Sequence, residues 1–207
     1  MNGDNMFHEV PTSRKAIAMT FDDGPNPIYT PQVLDIFREV SGRATFYMIG
    51  EQMLKAPETV KAVAAEGHEI GNHTYSHPAL TDLSPDDAWQ ELERTERLIE
   101  TLTGRKPLTF RPPYLRHNED TQTVVDRFGY SVAGALNGES KDWEMPGAEH
   151  IVDTSLRHAR PGSVLLYHDG FGDRSQTIEA VRRLVRTLTD RGYLLVTVSE
   201  LLELAER

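Results

Sequence analysis

The strongest constraint on this chain is an alternation that recurs along its length, a short apolar run followed by an amphipathic segment. The runs are Ala16–Phe21, Ala44–Ile49, His68–Asn72, Leu108–Arg111, Tyr130–Leu136, Ser163–His168 and Tyr193–Val198. Several are rich in Val, Ile, Phe or Tyr, as expected of strands buried on both faces. Between them lie helical patterns. Thr30-Pro31 opens one with Val33, Leu34 and Phe37 on its inner face, and Pro57–Glu66 stops at Gly67. Ser84-Pro85-Asp86-Asp87 combines an N-cap serine with proline at the first helical position, and the pattern continues through Leu92, Thr95, Leu98, Ile99 and Leu102 to Gly104. Further helices are predicted over Glu119–Phe128, Ala148–Ala159, Gln176–Arg191 and Ser199–Glu206. Strand–helix units in succession imply a parallel sheet with right-handed crossovers. Seven or eight units in 207 residues favour an α/β fold of one distorted, incomplete (β/α) barrel over an open doubly wound sheet. No glycine-rich dinucleotide fingerprint follows any run. In either architecture, active sites gather at the carboxyl ends of the strands.

Candidate chemistry concentrates at those ends. Asp22 and Asp23 close the first run, inside Thr20-Phe21-Asp22-Asp23-Gly24-Pro25-Asn26. Successive side chains of a strand point to opposite faces, so Gly24 is expected to relax the backbone and let both carboxylates turn to one site. Turn or capping roles would account for the doublet equally well. His73-Thr74-Tyr75-Ser76-His77 follows the third run, and histidines four apart share a face if the segment makes a helical turn. Pro78 disfavours helix at His77, so a single turn or a loop is expected. A chance H-x-x-x-H is common in a chain with eight histidines. Together Asp23, His73 and His77 offer two nitrogens and one oxygen and leave a coordination position open, the donor set of a catalytic zinc site. Asp22 would then be free to take a proton from an attacking water.

Arg111 ends the fourth run in Phe110-Arg111-Pro112-Pro113-Tyr114. Its permanent charge suits a carboxylate that binds no metal, although a salt bridge at a proline-rich turn would read the same way. The two prolines carry no amide donor, which makes the Tyr114 N–H the next one available. His168 ends the sixth run, with an ordinary pKa suited to proton transfer near neutrality. Asp142, after the fifth run, offers a carboxylate to orient that imidazole, and Trp143 offers either an aromatic wall or a packed ring. His68 lies at the opposite end of its run and reads as structural. His8, His117, His150 and His158 read as surface histidines.

In order along the chain, TFDDGP (Thr20–Pro25), HTYSH (His73–His77), RPPY (Arg111–Tyr114), Asp142-Trp143 and LYHD (Leu166–Asp169) resemble the five motifs of the polysaccharide deacetylases, carbohydrate esterase family four. The resemblance spans Lys15–Leu202 and implies a distorted barrel of about seven β/α units forming one catalytic domain over residues 1–207. It implies Asp22 as general base, Asp23, His73 and His77 as metal ligands, and His168 as general acid tuned by Asp142. Arg111 would hold Asp22, the Tyr114 backbone amide would help bind the oxyanion, and Trp143 and Leu166 would line the acetyl methyl pocket. The expected reaction is metal-dependent removal of N-acetyl groups from N-acetylglucosamine-containing saccharides, either chitin oligosaccharides or peptidoglycan. Two alternatives are an acetyl-xylan esterase or other small-amide hydrolase on the same site, and a catalytically silent carbohydrate-binding protein. The silent form normally lacks a ligand or the base, and every candidate is retained here. Leu136–Lys141 lacks the aromatic and further aspartate of many members, and Tyr167 stands where an aliphatic residue is frequent. Both departures are expected to alter the substrate groove.

Zinc is the default ion for this mixed donor set, and cobalt, nickel or manganese would accept the same ligands. A net charge of -10, from 32 acidic and 22 basic residues, argues against nucleic acid or anionic lipid as a partner. No stretch approaches the roughly 20 consecutive apolar residues of a membrane span. The polar start Met1-Asn2-Gly3-Asp4-Asn5 shows no basic n-region followed by an apolar one. Action on an envelope polymer points to a secreted or cell-envelope location, with a cytoplasmic one left open by the missing signal. The absence of cysteine removes disulfides, thiolate metal sites and a cysteine nucleophile.

Overall fold

The computed structural model describes residues 6–206. Seven strands form where the apolar runs predict them: β1 (Ala16–Asp22), β2 (Thr45–Met48), β3 (Glu69–Asn72), β4 (Thr109–Phe110), β5 (Ser131–Val132), β6 (Val164–His168) and β7 (Leu194–Leu195). All pair in parallel in the order β5-β4-β3-β2-β1-β6, with β7 beside the start of β1. The sheet curls into a half-barrel wrapped by α1 (Tyr29–Arg38), α2 (Gly50–Lys55), α3 (Pro57–Ala65), α4 (Pro85–Thr103), α5 (Glu119–Asp126), α6 (Ala148–His158), α7 (Ser175–Asp190) and α8 (Val198–Glu203). Only α2 lacks a counterpart in the sequence reading, because six residues hold too few turns to display a helical period. The long α4 begins and ends as its punctuation predicts. Ser84 Oγ accepts from the Asp87 N–H, Pro85 takes the first turn, and Gly104 closes the helix at φ 73°.

Strand parity divides the molecule into two layers. On β1, Ile17, Met19 and Phe21 point outward and pack with Phe46, Met48, Leu165 and Tyr167 beneath α1, α6 and α7. Burying each of these large side chains contributes roughly 2–3 kcal/mol. The alternate residues Ala16 and Ala18 share a separate interior cluster with Tyr47, Val164 and Val198. Continuing that parity, Thr20 and Asp22 face inward, and Asp22 arrives at the carboxyl end of the barrel. Tyr167 is therefore an outer-layer residue, its ring 5.8 Å from that of Phe21. The expectation that it reshapes the groove is corrected, since alternation turns it away from the side that carries His168.

Residues near the amino terminus close the open side of the half-barrel. Phe7 donates to the Val132 carbonyl and accepts from Gly134, while His8 accepts from Val164 and Val10 donates to Gly162. His8 is half-buried there, its Nδ1 within 2.9 Å of the Ala135 carbonyl. Its reading as a surface histidine is corrected. No helix among the described residues is long and apolar enough to cross a membrane.

Candidate active site

The carboxyl ends of β1, β3, β4 and β6 bring the motifs together. β1 and β6 run in register, so Asp22 lies opposite His168 on the neighbouring strand. Asp23 leaves β1 with φ 72°, in the left-handed region. That conformation breaks the alternation and lets consecutive aspartates address one site, so the turn expected at Gly24 is made one residue earlier, by Asp23 itself. Gly24 answers a different demand: a Cβ there would lie 2.6 Å from the Asp169 carboxylate.

The segment His73–His77 is a loop. Thr74 and His77 both have positive φ, at 67° and 64°. Asn72 Oδ1 accepts from the Thr74 N–H, Thr74 Oγ1 accepts from the His77 N–H, and Glu91 on α4 accepts from the amides of Tyr75 and Ser76. These bonds bring the two imidazoles to a ring separation of 4.9 Å. Both Nε2 atoms face Asp23 Oδ1, at 3.5 Å from His73 and 3.2 Å from His77.

Asp23, His73 and His77 each present one donor atom within 4.8 Å of the others. Asp23 Oδ1 is buried without a hydrogen-bond partner. His73 Nδ1 donates to the Arg111 carbonyl at 2.7 Å, which directs the Nε2 lone pair toward Asp23. Burial by itself would raise the Asp23 pKa, but positive charge at this point, here that of the two imidazoles when protonated and donating from Nε2, more than offsets it and holds the carboxyl well below the usual carboxylate range. Three electron-pair donors converging on one point, one of them orphaned, fit a divalent cation.

Arg111 is fully buried and organises the other half of the site. Its Nη1 donates to Asp22 Oδ1 at 2.8 Å and to Thr20 Oγ1 at 2.6 Å, while Nε and Nη2 donate to the carbonyls of Ala133 and Gly134. The guanidinium lies 4.4 Å from the Tyr47 ring centroid. One residue thus positions Asp22 through its side chain and His73 through its carbonyl.

On β6, His168 Nδ1 donates to Asp142 Oδ1 at 2.8 Å, and the His168 N–H donates to Asp142 Oδ2 at the same distance. Burial alone would lower the His168 pKa, but the Asp142 charge and hydrogen bond outweigh it, with Asp22 and Asp23 adding to the effect, and raise it to about 9. Thr177 on α7 also donates to Asp142. Leu166 lies two residues before His168 and shares its face of β6. Asn137 grips both the N–H and the carbonyl of Leu166, so the segment that departs from the family pattern is a brace for this strand. Trp143 lies 5.3 Å from the His168 ring, and Tyr114, at φ 60°, lies 4.8 Å from that of His77.

The geometry gives a role to Asp169, the last residue of the LYHD motif, and to Thr30, to neither of which the motifs assign one. Asp169 is fully buried, and burial pushes its pKa up to about 7. Thr30 Oγ1 donates to Asp169 and accepts from the Asn26 N–H, tying the turn after β1 to the end of β6. The signal for Asp169 in the sequence is its place at the end of the LYHD motif, beside His168.

The polysaccharide deacetylase family profile matches residues 9–133. The chain belongs to the polysaccharide deacetylase family. It is 42% identical over 195 residues to a peptidoglycan-N-acetylglucosamine deacetylase of Bacillus cereus, covering 94% of this chain and 91% of that one. It is 34% identical over 195 residues to a chitooligosaccharide deacetylase of Sinorhizobium fredii, covering 89% and 90%. Among solved structures, the Bc1960 peptidoglycan N-acetylglucosamine deacetylase superposes with a TM-score of 0.89 at 32% identity, over 96% of this chain and 94% of that one.

Proposed function

We propose that this deacetylase-family domain, residues 1–207, hydrolyses the N-acetyl groups of N-acetylglucosamine units in peptidoglycan fragments or chitin oligosaccharides. The observation that carries this reading is the convergence of a three-donor metal cluster, an arginine-held aspartate and an aspartate-held histidine at one end of one barrel. Asp23, His73 and His77 would hold the cation, with zinc the leading choice and cobalt, nickel or manganese acceptable. When bound, the ion supplies Lewis acidity, making water more acidic and the acetyl carbonyl more electrophilic.

The protein groups divide the remaining work. Asp22 has Oδ1 engaged by Arg111, leaving Oδ2 to accept a proton as water adds to the carbonyl carbon. The Tyr114 N–H would donate to the developing oxyanion. His168, its Nδ1–H held by Asp142, presents Nε2 to the leaving nitrogen and protonates it as the C–N bond breaks, releasing acetate and an amine. Its raised pKa keeps the imidazole protonated at neutral pH, the form a general acid needs. Leu166 and Trp143 would enclose the acetyl methyl. With an envelope polymer as substrate, this reading extends to a secreted or cell-envelope enzyme, the cytoplasm being the alternative for soluble oligosaccharides.

Acetate release is the test, measured on N-acetyl chitooligosaccharides, peptidoglycan fragments and acetylated xylan, with and without a chelator. Chelator-sensitive release from the first two is expected. Release from xylan alone would replace the amidase with an esterase. Saccharide binding without any release would make the protein a silent binder.

A further inference from the structure

Between His168 and α7 the chain runs Asp169-Gly170-Phe171-Gly172-Asp173-Arg174. Phe171 has φ 51°, a left-handed conformation that costs a bulky residue about 1–2 kcal/mol. The residue is 46% exposed and does not join any of the hydrophobic clusters of the core. Instead it edges onto His77, with ring centroids 6.3 Å apart at 73°. Tyr114, 67% exposed, reaches the same imidazole from a different loop.

The loop is held in this shape from several directions. Gly170 packs so closely on the Asp23 backbone that a Cβ would overlap the Asp23 carbonyl. Arg174 is buried and donates from Nε to the Gly170 carbonyl at 2.7 Å and from Nη1 to the Trp143 carbonyl at 3.3 Å. A single guanidinium therefore sets the loop of Phe171 and the loop of Trp143 relative to each other. Asp173 Oδ1 accepts from the Tyr29 hydroxyl at 2.9 Å and from the Ser175 N–H at 2.8 Å. Strain that persists under so many constraints beside a catalytic centre marks a functionally positioned residue, and here what it positions is an exposed aromatic ring.

We propose that Phe171 is a sugar-stacking residue, placing its ring against the apolar C–H face of a pyranose next to the one that loses its acetyl group. The inference rests on the deacetylase reading and deepens it by assigning a flanking subsite. An aromatic ring with two side-chain torsions offers a large apolar face at little entropic cost, which suits a ligand whose hydroxyls lie around its rim. Phe171, Tyr114 and Trp143 would then form a discontinuous aromatic rim, with Phe171 selecting for chain length.

Phe171→Ala and Phe171→Trp variants test this on N-acetylated chitin oligomers of one to five sugars, with metal content measured in parallel. F171A should lower kcat/KM for the pentamer about 10-fold, mostly through KM, and the loss should shrink as the chain shortens. F171W should restore pentamer turnover. Equal losses on every chain length, a loss confined to kcat, or a fall in metal content would overturn the proposal, as would an F171A enzyme with unaltered pentamer kinetics. A wild-type protein that releases no acetate from any oligomer would refute the deacetylase reading itself, a result distinct from active wild type with an indifferent variant.

Discussion

His68 sits at the amino end of the barrel, far along its strand from the catalytic motifs, and offers a quantitative test of the fold. Its ring meets Phe37 and Phe46 edge-on, at 5.9 Å and 5.6 Å. The Ala44 N–H donates to its Nδ1 at 3.0 Å, so that nitrogen holds a lone pair and cannot also take a proton. Burial, aided by the nearby Arg43 and Arg38 charges and opposed by Glu66, lowers the imidazole pKa from 6.5 to about 4. Between those values the unfolded chain binds a proton that the folded chain refuses, so stability is complete above pH 6.5 and falls as pH is lowered. From this one group the loss between pH 8 and pH 5 comes to about 2 kcal/mol, and the full difference approaches about 3 kcal/mol below pH 4. The perturbation is His68→Asn, which keeps an acceptor for Ala44 but removes the titration and the ring contacts. Urea unfolding at several pH values reads out the free energy of each protein. The variant should be the less stable at pH 8, and the two curves should converge by about 2 kcal/mol on reaching pH 5. Taking the difference cancels the titration of groups common to both. Curves that stay parallel would refute the assignment of His68 as a neutral, buried imidazole.

Asp22→Asn and His77→Ala should fail in different ways. The first should retain metal by elemental analysis after dialysis yet lose acetate release by about 100-fold or more, whereas the second should lose metal. Normal turnover by the Asp22 variant would remove it as the base. Arg111→Leu leaves the Asp22 carboxylate and the Ala133 and Gly134 carbonyls buried without their donor, and urea unfolding should show a loss of about 3–5 kcal/mol. Adding Asp22→Asn should recover part of that loss, because the uncompensated charge disappears; strict additivity would contradict the pairing. Asp142→Asn weakens the interaction that holds His168 at about 9. Activity requires protonated His168 and declines as pH rises through its pKa, so the alkaline limb of the pH–rate profile should move to lower pH in the variant. An unmoved limb would assign that limb to another group.

Much of this protein is determined locally. The seven strands, the order of strand and helix, and the ends of α4 follow from side-chain period, capping residues and glycine or proline punctuation, all of which act over a few residues. The placement of Asp22, His73, Arg111 and His168 at strand ends follows from the same signals, since the apolar runs stop where the polar chemistry begins. Tertiary structure decided which parity of each strand faces the barrel interior, because that depends on which neighbour pairs in which register; Tyr167 went outward and Leu166 inward on that basis. It also decided the conformations that no local rule favours. Asp23, His77 and Phe171 adopt positive φ in loops held by a mixture of near and far contacts: the Thr30–Asp169 bond across the chain for the turn after β1, neighbouring Asn72 together with Glu91 of α4 for the histidine loop, and Arg174, bonded to nearby Gly170 and to the remote Trp143 carbonyl, for the loop of Phe171. Residues 7–10 became part of the barrel through backbone hydrogen bonds to β5 and β6 and to the turn just before β6, which leave no side-chain pattern in the sequence. The identities of the reacting groups are thus written in short motifs, while their convergence on one point is a property of contacts between residues far apart in the chain.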